Sequence, residues 1–247
     1  MPKPDSSCFG IIRIVRAHLD APNRPCSRPR LRILWFDYEN EDDDGDERDW
    51  LPVLNGSAII RAVKILVAIT GASGALYAQR LLDNLDPLTH EIHVVLSNYA
   101  PQVIAGELPG GLCLPDGVKT HNIKSMNAPF ASGSNPPDAM VVIPCTMGTM
   151  GRIAHGYSED VLLRAADVVL KERKKLILVP RETPLSLVHV KNMELLLLAG
   201  AVILPANPSF YAGPKTIPEV ADTVVARVLD HLGVPNQLAP RWSEERE

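Results

Sequence analysis

Five short apolar runs, rich in β-branched residues, recur along the chain after residue 63. They are KILVAIT (64–70), EIHVVLS (91–97), AMVVIPC (139–145), KLILVPRE (175–182) and AVILPAN (201–207). Apolar runs of this length are typical of parallel strands buried on both faces of a sheet. Segments with helical periodicity separate them, around residues 76–85, 99–108, 160–173, 187–199 and 218–232. The alternation predicts an α/β fold with a doubly wound, mostly parallel sheet of the Rossmann-like or flavodoxin-like kind.

The part of the chain before residue 60 has a different character. Its first 36 residues are rich in arginine, and residues 37–49 form a nearly continuous acidic run. We therefore expect residues 1–60 to be an extension, either disordered or upstream of the true start, and residues 61–247 to form one domain. A mitochondrial presequence is the alternative, because residues 11–19 form a short amphipathic segment, but the acidic run that follows is atypical of such signals.

Composition limits the classes of function. Hydrophobic residues make up 46% of the 247 residues and charged residues 22%, close to the average of soluble globular proteins. A net charge of −4 gives no general attraction to nucleic acid or to an anionic membrane. The longest strongly apolar stretch is about half of the roughly 20 residues that a spanning helix needs. Cysteines and histidines lack metal-ligand spacing. We expect a soluble, cytoplasmic protein with no metal and no nucleic-acid or membrane partner.

Three loops rich in small and hydroxyl-bearing residues are candidates for ligand binding. They are Thr70–Ala75, Ala131–Ser134 and Pro144–Thr149. We expect them at the carboxyl ends of strands, where ligands bind in open α/β sheets, and together they suggest one shared site. Free amides and hydroxyls without a Walker lysine suit the phosphate or ribityl chain of FMN better than a nucleoside triphosphate. A tight strand-to-helix turn without a ligand would also explain the glycines of the first loop.

Several cationic side chains could bind an anion in such a site. Arg164 and Lys171 are seven residues apart and therefore share one face of a predicted helix, where they could hold one phosphate. A solvated helix end is the alternative. Arg181-Glu182 directly follows a predicted strand, so both side chains are expected at the ligand crevice, unless they form only a surface ion pair. Tyr211 and Arg227 could add a phenol and a guanidinium to the same anion.

A set of ordered motifs resembles one known family. They are TGASGA (70–75), VVLS (94–97), APFASGS (128–134), PCTMGT (144–149), RAADVVLKER (164–173), VPRETPLS (179–186), GAVILPANPSFY (200–211) and PRW (240–242). Together they are similar to the flavin prenyltransferases of the UbiX type over about residues 64–242. Several motifs in the right order are far more specific than any one of them.

The resemblance implies a transferase that joins the dimethylallyl group of dimethylallyl monophosphate to N5 and C6 of reduced FMN. The product, prenylated FMN, would serve a UbiD-type decarboxylase. The resemblance also implies that no metal is required and that the chain forms a homo-oligomer, commonly a dodecamer, with the flavin site between subunits.

The same resemblance assigns roles to individual residues. Glu182 matches the acid/base residue that removes the proton from flavin C6, with Ser73 as a relay. Arg164, Lys171, Tyr211 and Arg227 match the positions that hold the prenyl phosphate. The matched FMN-binding positions, with Ser132 added from the hydroxyl-rich loop, are Gly71, Ala72, Ser73, Ser97, Ser132, Thr146, Met147, Gly148, Thr149 and Arg181.

Two other functions are compatible with such a fold. One is an FMN-dependent cysteine-peptide decarboxylase, such as the phosphopantothenoylcysteine decarboxylases. This chain has PFASGS (129–134) where those enzymes carry a PASANT loop, which is against that reading. The other is a non-enzymatic subunit that binds and delivers FMN, because binding loops alone do not establish catalysis.

Overall fold

The computed structural model describes residues 62–241, so the predicted extension over 1–60 and the last six residues lie outside the described part. Within it, six strands form one sheet in the order β3-β2-β1-β4-β5-β6, and all neighbours are parallel. The strands are β1 (Lys64–Ile69), β2 (Glu91–Leu96), β3 (Lys119–His121), β4 (Ala139–Cys145), β5 (Lys175–Pro180) and β6 (Val202–Ile203). This is the doubly wound sheet that the sequence predicts, with its topological switch point between β1 and β4.

Six α-helices connect these strands in the described residues. They are α1 (Ala75–Asp83), α2 (Ala100–Glu107), α3 (Met147–Ala154), α4 (Val161–Lys171), α5 (Leu187–Leu198) and α6 (Ile217–Leu232). The five predicted helices are confirmed, with ends within two residues of those expected. The short helix α3 and the three-residue strand β3 were not predicted. A single 3-10 turn, Pro129–Ala131, precedes β4.

Both faces of the sheet are buried at its four central strands, which explains why β1, β2, β4 and β5 are mostly apolar. Ile65 and Val67 of β1 pack against α1, α2 and α6 on one face. Leu66 and Ala68 pack against α3, α4 and α5 on the other. Successive residues of a strand point to opposite faces of the sheet. A polar side chain at every second position would therefore be buried without a hydrogen-bond partner. It follows that α4 and α6 lie on opposite faces of the sheet.

An ion pair fastens α1 to α6. Nε of Arg80 lies 2.6 Å from Oδ1 of Asp222, and Nη2 of Arg80 lies 2.7 Å from Oδ2 of Asp222. The side chain of Asp222 is 8% exposed and that of Arg80 is 21% exposed. The hydrogen bonds that Arg80 donates to Asp222 raise the pKa of Arg80 and outweigh the opposing effect of burial. The pair is therefore a two-point, largely buried contact between the two helices.

A histidine pair joins β2 to the edge strand β3. Nδ1 of His93 lies 2.7 Å from Nε2 of His121, and the Phe130 ring meets both imidazoles edge-on. Nε2 of His93 is 3.2 Å from Oε1 of Glu91 but is not aligned for a hydrogen bond. Burial is the largest cause that lowers the pKa of both histidines, and it outweighs the Glu91 carboxylate, which raises that of His93. Lys119 lowers both further.

Acidification is therefore expected to destabilise the fold. Because the folded-state pKa of each histidine lies below that of the unfolded chain, their stabilisation is complete above about pH 6.5 and is lost as the pH falls below it. Each group contributes at most about 1.4 kcal/mol per pH unit. Thermal unfolding measured between about pH 8 and pH 5 tests this, and His121→Asn should flatten the dependence. His90, whose pKa burial also lowers, leaves a residual slope. An unchanged slope in the variant would contradict the assignment.

Candidate functional site

Thr70 holds together the loops that follow β1 and β4. Its hydroxyl donates a hydrogen bond to the Pro144 carbonyl oxygen at 2.7 Å and accepts one from the Thr146 amide at 2.9 Å. The amide of Ser97, which follows β2, donates to the Ile69 carbonyl oxygen at 2.9 Å. The carboxyl ends of three neighbouring strands thus meet at the switch point. This is the crevice in which ligands of doubly wound sheets bind.

Gly71 allows the closest approach between two of these loops. A Cβ added at Gly71 would lie 2.6 Å from Cβ of Tyr99, a distance that real Cβ atoms do not adopt. Tyr99 follows Ser97 and Asn98 and is 73% exposed. The sequence indicated a glycine-rich turn here, and the structure shows that only glycine lets the loop after β1 pass beneath the loop after β2.

A carboxylate occupies the N-terminus of α1. Oε2 of Glu107 accepts hydrogen bonds from the amides of Gly74 and Ala75, each at 2.8 Å. Burial acts to raise the pKa of Glu107, but the Ser73 side chain, the two amides and the positive charge of Arg181 outweigh it, so that this pKa is lowered. Glu107 was not predicted from the sequence. The available signal was an acidic residue at the end of a predicted helix, where the helix dipole disfavours it.

The N-terminus of α3 is arranged differently. Thr146 caps it by accepting a hydrogen bond from the Thr149 amide at 3.1 Å. The amides of Met147 and Gly148 lie in the first turn, where no intrahelical carbonyl can accept from them. Within residues 62–241, no carboxylate accepts from them as Glu107 does at α1. Space is open around Gly148, because a Cβ added there would meet nothing within 4 Å. This helix end faces the same strand-end loops and can accept an anion.

Cys145 immediately precedes this cap. It is buried, and burial raises the pKa of its thiol to about 12. A thiol that stays protonated is a poor nucleophile and a poor metal ligand. Cys145 is therefore a packing residue of the β4 strand end.

Arg181 lies beside the glycine-rich loop. Its Nε donates to the Ser73 carbonyl oxygen at 3.1 Å, so the loops after β1 and β5 are joined across β4. Glu182 is exposed, and its Oε1 accepts a hydrogen bond from the Thr183 amide at 3.0 Å. The structure thus brings Ser73, Arg181 and Glu182 to the same edge of the sheet.

The loop of Ser132, Gly133 and Ser134 does not directly follow a strand. The expectation that it lies at a strand's carboxyl end is therefore wrong. It precedes β4 and runs along α4, where Nε of Arg164 donates to the Ala131 carbonyl oxygen at 3.0 Å. A Cβ at Gly133 would lie 2.4 Å from Nζ of Lys171. The signal was in the chain order, because residues 131–134 stand shortly before the predicted strand 139–145 and therefore lead to its amino end.

Lys171 and Glu182 are far apart within one chain. Lys171 ends α4, and a turn of three residues leads from it to the start of β5, whereas Glu182 follows the end of β5. A six-residue strand spans about 20 Å. Lys171 therefore lies at the amino edge of the sheet, away from the crevice of its own chain. Its Nζ is 2.5 Å from Oε1 of Glu172.

The other two predicted phosphate-binding residues are separated from α4 as well. Arg227 lies on α6, on the opposite face of the sheet from α4, and its Nη1 is 3.0 Å from Oδ2 of Asp230. Tyr211 is 51% exposed in the loop between β6 and α6. One chain thus does not bring Arg164, Lys171, Tyr211 and Arg227 to one anion, contrary to the expectation from their spacing.

The family model named Flavoprotein matches residues 56–229. Flavin prenyltransferase UbiX of Pseudomonas aeruginosa is 42% identical over 198 residues, covering 74% of this chain and 95% of the relative. Flavin prenyltransferase PAD1, mitochondrial, of Saccharomyces cerevisiae is 40% identical, covering 74% of this chain and 76% of the relative.

Solved structures give the same result. A dodecameric FMN-dependent UbiX-like decarboxylase from Escherichia coli O157:H7 superposes with a TM-score of 0.69 at 42% identity, covering 73% of this chain and 99% of its own. AnUbiX in complex with FMN and dimethylallyl pyrophosphate has a TM-score of 0.69 at 40% identity, covering 75% of this chain and 100% of its own. A PPC decarboxylase is similar at a TM-score of 0.52 but only 17% identity, which reflects the shared fold alone.

The strand-end crevice and the doubly wound sheet are those of a flavoprotein. Within that class, the chain belongs to the UbiX family of flavin prenyltransferases. No helix in residues 62–241 is long and apolar enough to cross a membrane.

Proposed function

We propose that this protein is a prenyltransferase that joins the dimethylallyl group of dimethylallyl phosphate to N5 and C6 of reduced FMN. The observation that carries the proposal is the convergence of Ser73, Arg181 and the α3 N-terminus on one crevice, in a chain that belongs to this family. FMN supplies the nucleophilic N5 and C6 atoms, and the protein positions the two substrates and handles charge and protons.

The FMN phosphate is proposed to bind at α3 and not at α1. Glu107 already occupies the first amides of α1 and would repel a second anion there. The amides of Met147 and Gly148 offer hydrogen-bond donors and the positive end of a helix dipole, and Thr146, whose hydroxyl donates to Oγ1 of Thr149, fixes that helix end. Ser97 follows β2 at the same edge of the sheet. The remaining residues predicted to bind FMN, Gly71 to Ser73 and Arg181, would contact the flavin ring system.

Replacing Gly71 by alanine is expected to weaken FMN binding about 10- to 100-fold, because the new methyl group overlaps with Cβ of Tyr99 and forces the two loops apart. Removing the opposing Cβ should relieve the clash. Gly71→Ala with Tyr99→Gly is therefore expected to recover affinity, whereas Gly71→Ala with Tyr99→Ala keeps that Cβ and should not. Titration of FMN fluorescence measures all three variants. Wild-type affinity in Gly71→Ala would contradict the proposed close approach.

Glu182 and Ser73 are proposed to manage the proton. The allylic C–O bond breaks with its electron pair leaving on phosphate, while a carbon–N5 bond forms. N5 gives up its proton in that step, and a proton is added to the remaining C=C bond of the prenyl group. Closure of the ring then joins the resulting cationic carbon to C6, and the proton of C6 must leave. A carboxylate at the position of Glu182 can accept it, and the Ser73 hydroxyl, hydrogen-bonded to Glu107, can relay it.

The cations are proposed to stabilise the departing phosphate, and a second copy of the chain must supply some of them. Lys171 ends α4 at the amino edge of the sheet, away from the crevice of its own chain, and Arg164 lies on the same helix, whereas Tyr211 and Arg227 lie on other elements. Arg and Lys side chains held ready in a dry site stabilise charge that develops on a leaving group. Ser132, which shares the loop beside α4, would reach the FMN of the same neighbouring copy.

We further propose that the product serves a UbiD-type decarboxylase, that the protein acts in the cytoplasm, and that residues 61–247 suffice for activity. The name of the yeast relative keeps mitochondrial targeting as the alternative location. A truncated chain that begins at residue 61 should retain full turnover, and loss of folding or activity would contradict the proposed domain boundary.

Anaerobic incubation with reduced FMN and dimethylallyl monophosphate tests the proposed activity. Mass analysis of the released flavin should show the gain of one C5 prenyl unit. Dimethylallyl pyrophosphate is the second donor to test, since AnUbiX has been captured with it. Bound but unmodified flavin with both donors would contradict the transferase and favour an FMN carrier.

A further inference from the structure

We infer that Arg241 joins Arg227 in binding the phosphate end of the prenyl donor, and that this arginine pair holds the second phosphate of a diphosphate donor. Arg241 belongs to the PRW motif (240–242), to which the proposed function assigns no role. The inference rests on the proposed function, because that function places Arg227 at the prenyl phosphate. It deepens that function by naming the class of donor and a residue that selects it.

The carboxylate of Asp230 brings the two arginines together. Nη1 of Arg227 lies 3.0 Å from Oδ2 of Asp230, and Nη2 of Arg241 lies 3.0 Å from Oδ1 of the same side chain. Each oxygen of one carboxylate thus accepts from a different guanidinium. The two positive charges are therefore held side by side.

The segment after α6 folds back so that Arg241 reaches this carboxylate. Gly233 ends α6 with a φ of 74°, a left-handed conformation that turns the chain out of the helix. Nδ2 of Asn236 donates to Oδ1 of Asp230 at 3.1 Å, and Leu238 packs against the apolar core. The chain itself thus positions Arg241 before a ligand binds, which lowers the entropy cost of binding.

The arginine pair keeps hydrogen-bond donors for an anion. A guanidinium carries five N–H groups, and the contacts with Asp230 engage one terminal nitrogen of each arginine. The side chains of Arg227 and Arg241 are 64% and 52% exposed, whereas that of Asp230 is 23% exposed. The carboxylate therefore lies beneath the two cations, and a phosphate that approaches from solvent meets N–H groups first.

The local charge suits a diphosphate. Two guanidiniums against one carboxylate leave one positive charge in excess, and Lys175 adds another nearby, because its Nζ donates to the carbonyl oxygen of His231, next to Asp230. A phosphate monoester carries a charge of about −1.5 to −2 at pH 7, and a diphosphate adds a second charged phosphoryl group. Two adjacent guanidiniums can each bind one phosphoryl group with parallel N–H···O bonds.

The alternative role of Arg241 is to pin the end of the chain to α6. Exposed ion pairs contribute little to stability, so this role would make Arg241 largely dispensable. The two roles differ in a measurable way. Loosening a pinned segment would affect every donor alike, whereas loss of a ligand to the second phosphate affects the diphosphate donor selectively.

Arg241→Gln in the full-length protein tests the inference. With dimethylallyl pyrophosphate, kcat/KM is expected to fall about 10- to 100-fold through a higher KM, because a charge-assisted contact to the second phosphate is lost. With dimethylallyl monophosphate, it should change by less than about threefold. Arg241→Lys keeps the charge without the planar fork and should fall between wild type and Arg241→Gln. Lys119→Gln is the matched control, since it breaks a comparably exposed ion pair with Glu91 and should change neither donor.

The outcomes separate this inference from the proposed function. An equal loss with both donors in Arg241→Gln, or a wild-type protein that turns over only the monophosphate, overturns the inference and leaves the transferase standing. If neither donor gave prenylated flavin, the proposed function would fail, and titration calorimetry with inorganic pyrophosphate and inorganic phosphate would test the inference alone. Tighter binding of pyrophosphate that Arg241→Gln abolishes would support it, whereas a preference that survives the substitution, or no preference, would overturn it. If Arg241→Gln were unfolded by circular dichroism, Arg241→Lys repeats the comparison.

Discussion

Mixed oligomers of a Lys171→Ala chain and a Glu182→Gln chain are expected to regain prenyltransfer that neither variant shows alone. Loss of the acid/base carboxylate is expected to slow turnover about 100- to 10,000-fold. Loss of Lys171 removes the proposed contact to the prenyl phosphate. Because the two residues lie at opposite ends of β5 in one chain, each site is proposed to combine Lys171 of one copy with Glu182 of another.

The expected recovery can be estimated. In a random, equal mixture, half of the chains supply Lys171 and half supply Glu182, so about a quarter of the sites in the symmetric assembly contain both. Co-expression with two different affinity tags isolates the mixed oligomers, and turnover per site is then measured. A mixture that stays as inactive as the single variants would show that both residues act within one chain.

A matched control uses two residues of the same helix. Arg164 and Lys171 both lie on α4 and would come from the same copy. Mixing Arg164→Ala with Lys171→Ala chains should therefore give no recovery. Recovery in this control as well would point to reassembly or residual activity and not to a shared site.

Asn in place of Asp222 is expected to lower the free energy of unfolding by about 3 kcal/mol, and the melting temperature by about 6–12 °C. The substitution leaves the largely buried Arg80 guanidinium with only the longer contact to Asp83, at 3.4 Å, as a carboxylate partner. Removing one member of such a pair costs more than the pair contributes, because the remaining charge is desolvated without compensation. The expected loss of stability lies at the lower end of the usual range for breaking a buried ion pair, since Arg80 keeps some access to water.

Two comparisons make the test specific. Glu159→Gln breaks an exposed ion pair with Arg152, at 3.2 Å, and is expected to change the free energy by less than about 1 kcal/mol. Replacing both Arg80 and Asp222 with leucine should cost less than the sum of the single replacements, because neither the guanidinium nor the Asp222 carboxylate is left buried without the other. Equal melting temperatures for Asp222→Asn and Glu159→Gln would contradict the importance of the pair.

The fold was largely predictable from local patterns. The central strands are buried on both faces, so their sequences are apolar runs. The helices between the strands show clear helical periodicity. β3 was missed because Lys119, Thr120 and His121 form a short polar strand at the sheet edge, where burial does not constrain the pattern. Helix α3 was missed because its glycines resemble those of a loop.

The candidate site was predictable only in part. The glycine-rich loop after β1, the α3 cap and Arg181-Glu182 follow strands directly, and the carboxyl ends of parallel strands share one edge of a sheet. Glu107 was not found, because its contacts with Gly74 and Ala75 join residues more than 30 positions apart in the chain.

The sequence by itself determined the class of fold, the strands and helices that build it, and the edge of the sheet where a ligand binds. Each of these depends on local patterning: burial on two faces, helical periodicity and the residues that follow each strand. Only the tertiary structure decided the order of the strands and the filling of the α1 N-terminus by Glu107. Those features depend on which end of an element meets which neighbour, and residue spacing along the chain carries no information about that direction.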